Sequence, residues 1–294
     1  MTETPYTPPV DQLLTYGEPD LVKVEGWPDY LALGIGPEDI PELIRMAKDK
    51  QIHDIHEEEY DEDDPTFYAA VHAIRALGQL HAEAAAYPLL PLFDEPGDEW
   101  IVEELAKVYG MIGPSAIPAL ASYLRDDSHE TSSRAYASNG LAAIAKRHPE
   151  SRSDAIAVIT QVLEQFEEND PELNGLLIGD LADLKATETL PLIERAFEAD
   201  RVDEFFIDLD YVLEEFGLKE RKPLEIPDLR SLISNRPTSE DIPSYENTPS
   251  PPAYSEPVSF PSRDSYAQRL PTPIKFSGNK KQGKGKKQKA HKKR

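Results

Sequence analysis

His53-Asp54-Ile55-His56-Glu57-Glu58-Glu59 sets two imidazoles three residues apart, about one helical turn, beside carboxylates that could complete a site for zinc or another divalent ion. The His-Glu-x-x-His order of a zincin is absent, and a solvated acidic loop accounts for the same residues. The acids from Glu57 to Asp64 lack the glycine and terminal glutamate of an EF-hand loop, so they would hold calcium only weakly. Ser115, in Gly113-Pro114-Ser115-Ala116-Ile117, has no second glycine to make a nucleophile elbow, and its place just before a helix suits an N-cap. Gly34-Ile35-Gly36-Pro37 has too few glycines, and no following lysine, to cradle a phosphate. The chain has no cysteine, which removes thiolate nucleophiles, disulfides and zinc knuckles. On these grounds no catalytic residue, metal ligand or cofactor is assigned.

Charge points to binding instead. The 294 residues carry a net charge of −24, yet from Ser265 onward there are 11 Lys and Arg and no acid. The body is strongly acidic and the end strongly basic. Lys280, Lys281, Lys284, Lys286, Lys287, Lys289, Lys292, Lys293 and Arg294 contain no aromatic among them. They can neutralise phosphates but offer no base-stacking platform, so the expected contact is sequence-independent, with RNA, a ribosome or another acidic surface. Between body and tail, Pro237-Thr238-Ser239, Thr248-Pro249-Ser250-Pro251-Pro252 and Pro271-Thr272-Pro273 mark a Pro/Ser/Thr-rich linker that cannot bury enough to fold. Pro251-Pro252-Ala253-Tyr254 fits the pattern read by WW domains, although a proline-rich linker produces such matches readily. The linker gives the tail a root-mean-square reach of roughly 40 to 47 Å by flexible-chain scaling. That is enough for the tail to meet its own acidic body, in a contact that salt would release.

The elements that must position any site follow from a recurring phrase, a polar turn and then an apolar–Pro–apolar helix start. It occurs at Ile40-Pro41-Glu42-Leu43, Tyr87-Pro88-Leu89-Leu90, Ile117-Pro118-Ala119-Leu120 and Leu190-Pro191-Leu192-Ile193, and Ile156-Ala157-Val158-Ile159 fills the gap without proline. The central positions are 47, 30, 39 and 34 residues apart, each interval fitting one helical hairpin, with the acidic stretch as an insertion in the first. Proline is tolerated in the first turn of a helix and costs about 3 kcal/mol further in. Ser115 and Thr187 are placed as N-caps. The partner helices show the 3.6 period, as in Leu173, Leu176, Leu177 and Leu181, and stop near Gly78, Gly110, Gly140 or Gly179. A lone hairpin has one wall against which to bury its stripe, so neighbours must supply the other, which predicts an all-α solenoid.

Around Val10-Asp11-Gln12-Leu13-Leu14 and Trp27-Pro28-Asp29-Tyr30-Leu31 two short helices are expected, with Trp27 and Tyr30 covering the first hairpin. At the other end a helix around Phe205, Phe206, Leu209, Val212 and Leu213 is expected as the last packed element. The divisions are thus 1–37 cap, 38–217 repeats, 218–278 disordered linker and 279–294 basic tail. No apolar run approaches the ~20 residues of a membrane span, and the start has no signal-peptide pattern, so the cytoplasm is the expected location.

Gly110-Met111-Ile112-Gly113-Pro114-Ser115-Ala116-Ile117-Pro118-Ala119-Leu120, with Arg134 in the next helix, resembles the HEAT-like repeat of phycobilisome lyases over roughly residues 38 to 216. The resemblance implies a right-handed α-solenoid of about five hairpins. It also implies that Arg134 and Arg75 bond to the preceding turn, near Asp126 or Asp127. The chain is similar, too, to uncharacterised bacterial HEAT-like proteins, some of which end in a SecA-type zinc motif; the cysteines of that motif are missing here. In such arrays the second helix of each hairpin lines the partner-binding side. This nominates Glu103, Glu104, Lys107, Arg134, Ser138, Asn174, Asp180, Asp183, Asp208 and Asp210 as a groove. Its acidic far end favours a basic or amphipathic protein segment. The expected function is a non-enzymatic binding scaffold or adaptor; the alternative implied by the resemblance is a lyase or chaperone of phycobilin attachment.

Overall fold

A computed structural model describes residues 6–19, 26–53, 64–94 and 99–220. The acidic loop with His56, the linker and the Lys280–Arg294 tail lie outside the described residues, as does the side chain of His53. The chain divides into two units, Met1–Leu224 and Glu225–Arg294, and every described residue belongs to the first.

Among the described residues all regular structure is helical. The α-helices are α1 Ile40–Ala47, α2 Lys50–His53, α3 Ala69–Gln79, α4 Glu99–Ile112, α5 Ile117–Arg125, α6 Thr131–Arg147, α7 Arg152–Leu163, α8 Pro171–Asp183, α9 Leu190–Glu198 and α10 Leu209–Glu215. Tight 3-10 turns lead into several of them. Pro41, Pro118 and Pro191 each sit in the first turn of α1, α5 and α9, where a missing N–H is harmless.

Two sequence expectations change in detail. Neither Ser115 nor Thr187 caps a helix. Each lies in a 3-10 turn, Pro114–Ala116 or Thr187–Thr189, that runs straight into α5 or α9. Backbone bonds such as Ala116 N–H to Gly113 O at 3.0 Å do the work expected of the side chains. The side-chain caps are instead Asp170 on α8 and Asp208 on α10. The phrase at Tyr87-Pro88 does not open an α-helix. Pro91 has no N–H to give the Tyr87 carbonyl, so Leu90–Asp94 settles into a 3-10 turn with i to i+3 bonds, Leu90 to Tyr87 at 3.2 Å and Leu92 to Leu89 at 3.1 Å.

The packing runs along the chain. α3 packs on α1 and α4, α4 on α6, α6 on α5, α7 and α8, and α8 on α7 and α10. A second row of contacts joins Leu90–Asp94 to α5 and α5 to α7. The core follows these contacts from Leu43 and Met46 through Ile74, Leu105, Leu120, Leu141 and Ile159 to Leu177 and Val212. Gly110 lies where α4 meets α6: a Cβ there would stand 3.1 Å from the Ala143 Cβ and 3.2 Å from its carbonyl oxygen. Gly140 does not end a helix but lies inside α6, where a Cβ would press to 3.1 Å from Leu120.

The N-terminal segment lies over α3. Val10, Leu13, Trp27 and Tyr30 are buried, and every residue from Ala69 to Gly78 is covered. At the opposite end α10 begins only at Leu209, and Phe205 and Phe206 stand in the turn before it, exposed.

Candidate functional site

The ten nominated groove residues separate into buried ties between neighbouring helices and surface acids. On α4, Glu104 is buried and accepts two bonds from Arg75 of α3, Nε to Oε2 at 2.9 Å and Nη2 to Oε1 at 3.1 Å. Lys107, one turn on and half-buried, approaches the same carboxylate at 2.8 Å. The Arg75 guanidinium also lies over the Trp27 ring, 4.6 Å from its centroid. Arg75 thus bonds α4, the helix that follows, where the family resemblance implied the preceding turn. Arg134 does bond the preceding turn, donating Nε–H to the Leu124 carbonyl at the end of α5 at 2.9 Å.

Beside this pair, His72 bridges Tyr30 and Gly17. Its Nε2 faces the Gly17 carbonyl at 2.8 Å and its Nδ1 faces the Tyr30 hydroxyl at 2.6 Å. A carbonyl only accepts, so Nε2 carries the proton and Nδ1 accepts from the tyrosine. Burial, with the nearby Arg75 charge, lowers the His72 pKa, and burial raises that of Tyr30; both side chains are held neutral. Gln79 completes the attachment, accepting from the Tyr30 N–H at 3.0 Å and donating to the Pro28 carbonyl at 2.8 Å.

The second polar centre joins α6 to α8. Asp180 is buried; the Ser138 hydroxyl donates to its Oδ2 at 2.5 Å and the Asn139 amide to its Oδ1 at 3.0 Å. Burial raises the Asp180 pKa to about 6, against the pull of these two bonds and of Lys146. The bonded set holds a serine and a carboxylate without an imidazole between them, so it lacks the relay of a Ser-His-Asp triad. Near the surface Lys146 of α6 reaches Asp183 of α8 at 3.0 Å, with both groups about half exposed.

Asn174 is buried as well. Its amide donates to the Phe166 carbonyl at 2.9 Å and the Arg201 carbonyl at 2.7 Å, and its oxygen accepts from Asn169 at 3.0 Å. Asp208 is exposed and caps α10 by accepting from the Tyr211 N–H at 2.8 Å. Asp210 is exposed and paired with Lys219. The nominated side chains left at the surface are therefore Glu103, Asp183, Asp208 and Asp210, with Lys107 and Arg134 half-buried.

Among the described residues no group of three His, Cys, Asp or Glu is placed to hold a metal ion, and no helix is long and apolar enough to cross a membrane. The sequence reading missed Asn139, His72 and Gln79. A helical period could have shown Asp180 as a polar interruption of an apolar face, but not that it meets Asn139, which sits at an exposed position of α6.

No curated protein and no solved structure matches the chain. A family model described as a protein of unknown function matches residues 36–235, which takes in every α-helix from α1 to α10, the Arg75–Glu104 pair and the Ser138–Asp180 centre, but not Gly17, Trp27, Pro28 or Tyr30. The chain is a member of that family, DUF1186.

Proposed function

We propose that the protein is a non-enzymatic binding scaffold or adaptor, an α-solenoid of HEAT-like hairpins whose second helices present one side to a partner. The observation that carries this reading is the order of packing, α3 on α4, α4 on α6, α6 on α8 and α8 on α10, each helix meeting the one that ends the neighbouring hairpin. Polar ties pin two of these junctions, Arg75 to Glu104 and Ser138 to Asp180. The nominated side chains that such a stack leaves at its surface are Glu103, Asp183, Asp208 and Asp210.

These acids favour a basic or amphipathic protein segment as the guest. The tail from Lys280 to Arg294 serves as a second, sequence-independent contact for an anionic partner such as RNA or a ribosome. The test is capture from a lysate of the native cells at low and high salt. It compares the full chain with a full-length variant whose tail lysines and arginine are replaced by glutamine. Partners that survive high salt and the neutral tail support the scaffold reading. Recovery of nothing but salt-labile nucleic acid, lost with the tail charges, would leave the helical body without a partner and overturn it.

A further inference from the structure

The turn between α9 and α10 carries an arrangement that packing does not explain. Phe205 is 87% exposed and Phe206 42%, and Tyr211 is exposed beside them. Phe205 and Phe206 stand edge to face with centroids 5.3 Å apart. The turn that holds them is fixed by hydrogen bonds: Asp203 N–H to the Pro171 carbonyl at 3.0 Å, Phe206 N–H to the Asp203 carbonyl at 3.1 Å, and Phe205 N–H to the Asp203 carboxylate at 3.0 Å. Gly175 of α8 lets it sit close, since a Cβ there would come within 3.2 Å of the Asp203 carbonyl oxygen. A phenylalanine held out into water by a tied turn is displayed, and exposed apolar clusters rimmed by polar groups mark interaction sites.

The rim supplies the chemistry. Glu204, Phe205, Phe206, Ile207, Asp208 and Tyr211 line a shallow pocket that brings two exposed carboxylates together with three aromatic rings. Aromatic faces attract a guanidinium or ammonium group, and the carboxylates add a two-point acceptor for guanidinium. An anionic guest would meet the repulsion of Glu204 and Asp208. A purely apolar guest would desolvate the Glu204 carboxylate and the Asp208 oxygen that the Tyr211 N–H does not occupy, and would give neither a cation.

Resting on the scaffold reading above, we infer that this pocket at the C-terminal end of the helical stack takes an arginine side chain of a partner protein, with an adjoining apolar residue laid on Phe205. The site is pre-formed and asks for no rearrangement of α8 or α10.

The probe is a fluorescein-labelled peptide of repeating arginine, leucine and glycine, titrated with the full chain and followed by anisotropy. The comparisons are F205S, the pair E204Q and D208N, and the same peptide with glutamate in place of arginine. F205S is expected to weaken binding about tenfold or more, as removal of an aromatic anchor does, without moving the melting temperature. E204Q with D208N should weaken it and flatten its salt dependence, while the asparagine still caps α10. The glutamate peptide should not bind. Unchanged affinity in F205S, or equal binding of the glutamate peptide, would overturn the inference. So would sedimentation of the full chain as a dimer that F205S dissociates, because the patch would then be a self-interface. If F205S still captures the salt-resistant partners of the wild type, this pocket fails and the scaffold reading stands.

Discussion

Arg75 of α3 and Glu104 of α4 form a two-point ion pair whose side chains are 0% and 1% exposed, where the two helices pack together. Glu104 keeps Lys107 at 2.8 Å when Arg75 is removed, whereas removing Glu104 takes from the buried Arg75 its two-point carboxylate, a kind of change that costs about 3–5 kcal/mol. Glu104→Gln should lower the unfolding free energy read from urea titration by an amount in that range, and Arg75→Met by less. The double variant Arg75→Met with Glu104→Leu should recover part of the loss, since a well-packed apolar pair is often as stable as a buried ion pair. If the double variant is as damaged as the sum of the singles, the pair is not the coupled unit that its geometry indicates.

Gly110 offers a separate test of how closely the helices approach. Alanine at this position gains about 1 kcal/mol in helix propensity, but its Cβ meets Ala143 at 3.1 Å, so Gly110→Ala should be close to neutral. Gly110→Leu has no room and should cost about 1–3 kcal/mol through strain between α4 and α6. Denaturant titration of the two variants separates the effects. Equal stability of leucine and alanine at 110 would show that α4 and α6 stand further apart.

Leu177 is fully buried at the centre of α8. Leu177→Asp removes its packing and buries a carboxylate, two effects of about 2–5 kcal/mol each, and should unfold the unit or nearly so. Circular dichroism through a thermal ramp would read this directly. An unaltered melting curve would mean that Leu177 faces water.

How much of this was readable from the amino-acid order depends on whether the cause is local. The prolines of α1, α5 and α9 announce helix starts because proline's geometry excludes the interior of a helix. Leu173, Leu176, Leu177 and Leu181 announce α8 because the period of a buried stripe is a property of one helix. The choice of partner is not. Arg75 lies in its own helix as Arg134 does, yet one bonds the following helix and the other the end of the preceding one, because α4 brings the Glu104 carboxylate within reach of Arg75. Ser138, Asn174 and Asp180 were nominated as surface for the same reason: a polar residue in a helix can face water or a neighbouring helix, and its own sequence does not distinguish them. Phe205 misled in the opposite sense, since apolar character argued for burial and the Asp203 turn holds it outside.

Asp180 yields a prediction in pH. Its pKa is raised from 3.8 to about 6 in the folded chain, so the fold prefers the protonated acid. Between these values the folded state binds more protons than the unfolded chain, and stability falls as pH rises. The contribution is complete below about pH 4 and gone above about pH 6. At about 1.4 kcal/mol per pKa unit it amounts to roughly 3 kcal/mol. Asp180→Asn keeps the shape and the bonds to Ser138 and Asn139 in altered polarity, because the serine hydroxyl can turn to accept. The variant cannot ionise, so it should be as stable as the wild type near pH 4 and more stable near pH 7. Urea midpoints of the two proteins across that interval measure the difference. Curves that stay parallel would show that Asp180 ionises in the fold as freely as in the unfolded chain, and that the contact between α6 and α8 admits water.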